Sequence, residues 1–374
     1  MSSPRTIPPL LDPYLRSIFQ RLPEETAALV VATGILGAST NWLVLRYLHS
    51  FLKAASPSPH QQSRKPGEES SFPEEKDNTN VTTTTTSVLL LSFLRDYTFW
   101  KEGASRVGLD LDALARTGKF AYVDGLSVDL FHGSSSSSSS SSTNSHAPPP
   151  SPTADLGGGG RRSVPGVLPR VPVPVIPGRI PVSGRDDWKT AAAAHSINNI
   201  AATRVGRAGP GTTKLASPSL KDLGETISKV VEDLQGHAAA AGKKSKVVLV
   251  IDQLDFWLAA AGESTSSSEL IQLLLDLQEK VDTTILALSA DEPLVVAQTT
   301  TLEKEHSSFV LSLAHEAMMV LSLRLLDTGV AKDVSGVVRI TAGGGVPHGM
   351  SIEENEYLYH VGGDGGVKVF ERGQ

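Results

Sequence analysis

The sequence predicts an α/β fold: one domain with a mostly parallel central sheet flanked by helices, antiparallel strands at its C-terminal end, and disordered insertions. Three observations predict it. The apolar runs VLLLSF (88–93), VVLVID (247–252) and TILALS (284–289) are continuous rather than alternating, as in strands covered on both faces. Helical segments with one apolar stripe separate these runs, which is the rhythm of a parallel sheet. After residue 318 the segments 318–326, 336–341, 356–361 and 366–370 alternate and are joined by glycine-rich turns, the signature of hairpins added to the sheet.

Length and composition agree. Of 374 residues, 40% are hydrophobic, and they concentrate before residue 132 and after 215, so one core divided in sequence is expected. The absence of cysteine excludes disulfides, thiolate metal sites and a cysteine nucleophile, and fits a reducing compartment. A net charge of −6 argues against bulk electrostatic binding to nucleic acid. No charge-free apolar stretch reaches the roughly 18 residues of a membrane span, and the proline-punctuated N-terminus lacks a signal-peptide core. A soluble intracellular protein, cytoplasmic and also nuclear, is the expectation.

Taken in order, residues 13–21 read as a short helix ended by Pro23, and 28–33 as a buried strand. A glycine-containing turn leads into a helix whose Trp42, Leu45, Leu48 and Leu52 recur at helical steps. Residues 55–87 are polar and read as a disordered loop. After the strand at 88–93 come two helical turns broken at Gly103 and Gly108, then a strand at 119–123. Residues 132–214 read as a low-complexity disordered insertion: nine serines from Ser134 to Ser142, a PPPSP, a GGGG and a valine–proline repeat. Residues 155–214 carry nine Arg/Lys against three Asp, about +6, leaving about −12 for the rest of the −6 chain. This segment reads either as a solvated linker or as a basic arm for RNA phosphates or an acidic surface. A helix at 217–236, capped by Ser217 and stopped at Gly236, precedes the strand at 247–252; another helix, 268–281, precedes the strand at 284–289. The domain thus comprises residues 1–54, 88–131 and 215–374.

The candidate site follows from the first strand–turn–helix. That layout presents backbone N–H groups and a helix N-terminus to an anion, as in a phosphate loop. The motif GxxxxGK[ST] needs its Lys for the β/γ-phosphates and its hydroxyl for Mg²⁺. Aligned from Gly34, this chain has Ser39, Thr40 and Asn41 at those places, and no Lys lies between Gly34 and Leu52. The loop is therefore a degenerate one. Asp252, closing an apolar strand, stands where the metal-holding acid of such a site would be, with structural use as the competing reading. Asp96, Asp291 and Glu292 also follow strands, where ligands gather and where charged loop residues are ordinary. Histidine spacing suggests no metal site, and no residue is read as catalytic. Phe99, Trp100, Phe256 and Trp257 are candidate interface anchors, or else core residues under the sheet.

Strands and helices in this order have the shape of a RecA-like domain. Three segments, ATGILGASTNWLVLRYLHSFLKA (32–54), VLLLSFLRDYTFWKEGASRVGLDLDALARTGKFAYVDGLS (88–127) and VVLVIDQLDFWLAA (247–260), resemble the subunit 6 family of the Elongator complex in a fungal type. The run SFLRDYTFWKEGASRVGLDLDAL is the most specific. The resemblance implies a RecA-like fold without working ATPase motifs. It implies a hetero-hexameric ring with Elongator subunits 4 and 5, tRNA bound through the ring, and a supporting part in wobble uridine (U34) modification. It implies no cofactor on this chain, the iron–sulfur and acetyl-CoA chemistry belonging to another subunit. The loops at 34–41, 95–99 and 252–257 become candidate ring contacts. Two rivals stand beside this reading: a divergent RecA-type ATPase using Asp252 and Asp96, and a recombinase-like DNA-binding regulator.

Overall fold

The structure, a computed structural model, describes residues 7–22, 26–53, 84–127, 209–215, 217–326, 331 and 333–373. Residues 54–83 and 128–208 lie outside the described residues, and with them the basic-arm reading of the long insertion. All described residues belong to one unit, Met1–Gly133 with Arg207–Gln374.

Among the described residues ten strands form a single sheet. They are β1 (Ala28–Gly34), β2 (Thr84–Ser92), β3 (Phe120–Asp124), β4 (Thr212–Lys214), β5 (Lys244–Asp252), β6 (Thr283–Ser289), β7 (Met319–Arg324), β8 (Gly336–Ala342), β9 (Asn355–Val361) and β10 (Val367–Phe370). Their spatial order is β10-β9-β8-β7-β1-β6-β5-β2-β3-β4. Every pair from β7 across to β4 is parallel, and β8, β9 and β10 continue antiparallel. The register sets Ser92 of β2 beside Asp252 of β5, and Gly34 of β1 beside Ser289 of β6.

The helices are α1 (Ile18–Arg21), α2 (Asn41–Lys53), α3 (Tyr97–Arg106), α4 (Leu111–Arg116), α5 (Leu220–Ala240), α6 (Phe256–Ala261), α7 (Ser267–Gln278) and α8 (Thr301–Glu316). Val30, Val88, Leu90, Val250 and Ile285 share one core with α2, α3 and α4. Their strand neighbours Val31, Leu89, Leu91, Ile251 and Leu286 share the other with α5, α6, α7 and α8. Burial on both faces is why these strands are apolar without alternation. Among the described residues no helix is long and apolar enough to cross a membrane.

Several local expectations are corrected. β2 begins at Thr84, inside the segment read as a loop, because Thr84–Ser87 pair with Lys244–Val247 and so satisfy their backbone in the sheet. Thr212–Lys214, read as part of the insertion, pairs with Tyr122–Asp124 as the edge strand β4. The segment at 318–326 is not wholly antiparallel: β7 runs parallel to β1. α3 passes straight through Gly103, where a Cβ would stand 2.9 Å from Leu45 Cδ1, so this glycine serves helix contact rather than a break. α5 starts after Ser219 rather than Ser217, whose hydroxyl bonds the Asp222 carboxylate, and runs through Gly236 into a helix-favouring alanine run. Most of α8 had no expectation at all, although Thr300 and Glu303 form its capping box.

Past β8, Gly343, Gly344 and Gly345 donate in succession to the carbonyls of Met318, His315 and Ala317, at 3.1, 2.8 and 3.0 Å. The glycine run therefore caps the C-terminal end of α8. Backbone approaches this close because there is no Cβ.

Candidate functional site at the carboxyl ends of the strands

β1 delivers the chain to Gly34, and α2 begins at Asn41. Between them the loop curls on itself. Ala38 N–H donates to Ile35 O at 2.8 Å, and Gly37 sits at φ +90°. A Cβ at Gly34 would lie 2.7 Å from Ala38 O, so only glycine fits there. Thr40 is buried and its carbonyl accepts from Leu43 and Val44, opening the helix, while Asn41 N–H bonds Ser39 Oγ at 3.2 Å. Ser39, Thr40 and Asn41 thus serve the turn and helix start.

One backbone N–H of the loop is engaged by the chain itself. Leu36 N–H donates to Asp291 Oδ1 at 2.6 Å, and the adjoining Ala290 N–H donates to Gly34 O at 2.8 Å. Asp291, noted only as an acid after a strand, closes the phosphate-type loop with the chain's own carboxylate. Charge-assisted bonds of this kind are among the stronger hydrogen bonds.

Asp252 ends β5 at 1% exposure. Ser92 Oγ donates to its Oδ2 at 2.7 Å and itself accepts from Arg95 N–H at 3.1 Å. Burial pushes the Asp252 carboxyl up to about 6, against the pull of the Ser92 hydrogen bond and the Arg95 charge. The next residue, Gln253, is held at φ 62° and accepts from Ser289 Oγ at 2.7 Å. Ser289 N–H reaches Asp255 Oδ2 at 3.2 Å, and Asp255 faces His306 at 3.3 Å, both buried. Ser92, Gln253, Ser289 and His306 were not anticipated as neighbours. Their signal is topological, since strand register unites residues far apart in sequence.

Asp96 caps α3, accepting from Phe99 N–H at 2.9 Å, and Glu292 is exposed at the start of the turn Pro293–Ala297. The four aromatic anchors divide. Trp100 is 0% and Trp257 1% exposed, the latter edge-on to Phe93 at 5.7 Å, so both are core residues. Of the two readings given for these tryptophans, the core one fits: their large apolar faces are spent under the sheet. Phe256 is half-buried against the second core, and Phe99 is exposed with the Arg95 guanidinium 5.3 Å over its ring.

The apolar side chains that do reach solvent here were not singled out. Leu36, Leu94, Phe99, Leu126, Val296 and Leu325 are exposed, and all lie in the loops or first helical turns that follow the carboxyl ends of β1, β2, β3, β6 and β7. Leu36, at 86%, and Val296, at 69%, are the most exposed large hydrophobics among the described residues. The result is an edge with apolar points around a polar, self-bonded centre.

No protein-family model matches the chain, and no curated protein matches it either. Among solved structures, an uncharacterized protein from Pyrococcus horikoshii, crystallised in complex with an unknown peptide, is similar over 98% of this chain and 98% of its own. The identity is 11% and the TM-score 0.49.

Proposed function

We propose that this chain is a non-catalytic RecA-like subunit of an Elongator-type assembly. In this reading it joins subunits 4 and 5 in a hetero-hexameric ring that supports tRNA binding and wobble uridine modification in the cytoplasm and nucleus. One observation carries the non-catalytic part: Asp291 occupies the Leu36 N–H of the phosphate-type loop, and no lysine stands in that loop or the helix that follows as far as Leu52. A nucleotide phosphate reaching that N–H would have to displace a carboxylate and would find no lysine in the loop. The assembly part rests on the sequence resemblance and on the exposed apolar residues around the same edge.

Two experiments test the two parts. Titration of Mg·ATP into the full chain is expected to give no saturable heat; micromolar affinity would favour the ATPase reading with Asp252 as metal acid. For assembly, Leu36→Glu and Val296→Glu are expected to leave the unfolding midpoint unchanged. Each should weaken co-purification with subunits 4 and 5 by roughly 30-fold, as loss of an interface hot spot does. A double variant that still assembles at wild-type affinity would overturn the edge as the contact surface.

A further inference from the structure

At the opposite end of these strands lies a cavity of ≈ 320 Å³ that the reading above does not use. Its floor is the sheet face that carries α2, just before the apolar core begins. Thr26, Thr84, Thr86, Thr283 and Lys246 pave it, from or leading into four adjacent strands. Two residues further along, the same rows become Ala28, Val88, Val248 and Ile285. The floor is thus a patch where the core pattern turns polar. The roof is aromatic: Phe19 of α1 and Phe51 of the last turn of α2 meet edge-to-face at 5.0 Å.

Two cations face this space, Arg16 on one wall and Lys246 on the floor. Neither makes an ion pair with any described residue. The one acid in the lining, Asp282, already accepts from Val247 N–H through Oδ2 at 2.7 Å. Cations with no ion pair among the described residues, beside hydroxyls and aromatic rings, match a ligand that is flat, apolar on its faces and anionic at one end.

We infer that this amino-end cavity binds a small planar anion, a single aromatic or heteroaromatic ring bearing one phosphate or carboxylate group. The ring lies under Phe19 and Phe51, its edge meets the threonine hydroxyls, and the anionic group sits between Arg16 and Lys246. The volume, at the lower end of the range for ligand pockets, limits the ligand to about one ring system. This site is independent of the assembly reading, because it lies at the other end of the sheet.

The test uses the full chain and simple probes. Phenyl phosphate and benzoate carry ring and anion together, while phenol and inorganic phosphate carry one each. By isothermal titration, at least one of the complete probes is expected to bind saturably, about tenfold or more tighter than either half. Arg16→Ala and Lys246→Met should each weaken it about tenfold, with unfolding midpoints unchanged. Leu36→Glu at the far end should leave it unaltered. The inference is overturned if neither complete probe saturates, if phosphate alone binds as tightly as phenyl phosphate, or if both charge variants bind as the wild type does.

Discussion

Gly343→Ala and Gly345→Ala are each expected to destabilise the protein by about 4 kcal/mol or more, a large share of the roughly 5–15 kcal/mol that holds a domain folded. A Cβ at Gly343 would stand 2.0 Å from Ala317 O, and one at Gly345 would stand 2.1 Å from Glu316 O. Both obstacles are backbone at the end of α8, so no flexible side chain can swing away. Relief requires pulling β8 off the helix and breaking N–H bonds to its last carbonyls. Gly236→Ala supplies the opposite sign. It lies inside α5 with nothing within 4 Å of its would-be Cβ, so alanine should stabilise by about 0.5–1 kcal/mol. Urea midpoints at unchanged slope give all three values. A loss below about 1 kcal/mol at both Gly343 and Gly345 would show that the cap is not built this way.

Asp252→Asn is expected to stabilise the protein at neutral pH by up to about 3 kcal/mol, because the amide removes a buried charge. Burial holds the folded-state carboxyl at about 6, against about 4 in an unfolded chain. The folded state therefore binds this proton more tightly. The contribution of Asp252 is fully present below about pH 4 and is lost as pH rises through about 6, at roughly 1.4 kcal/mol per pH unit. An amide at this position carries no charge to desolvate, and its oxygen still accepts from Ser92 Oγ. The difference between variant and wild type should accordingly be small at pH 4, grow to about pH 6 and level off above it. Equilibrium unfolding at several pH values between these limits measures it. A variant less stable than wild type at pH 7 would mean that the ionised carboxylate is held by interactions stronger than its desolvation.

Much of the fold was legible because its cause is local. The runs at 88–91, 247–251 and 285–288 are apolar without alternation, as strands covered on both faces are. β4 was illegible for the converse reason: Thr212–Lys214 has no apolar period and is a strand only because β3 offers it an edge. The degenerate loop was legible as a deficit, since a missing lysine shows in sequence. What fills the deficit was not. Asp291 lies 255 residues from Leu36, and only the pairing of β1 with β6 joins them. Trp100 and Trp257 show the limit on aromatic residues, whose position after a strand does not reveal which way the ring points. Leu36 was the more telling residue, a large apolar side chain in a tight turn between Gly34 and Gly37.

β1 lies between β6 and β7, so this strand leaves the ribosome long before either of its neighbours. At roughly 5–20 residues per second, synthesis of the intervening segment takes on the order of 10 to 50 seconds. Throughout that time Leu29, Val30 and Val31 have no partner strand. Tyr14 waits longer still, for Glu353 and Asn355, which it meets at 3.0 and 2.7 Å. The nascent chain therefore cannot complete its sheet from the N-terminal end. Closure of the sheet around β1 waits on synthesis of β6 and β7, which makes shielding of residues 28–34 during translation a condition of yield.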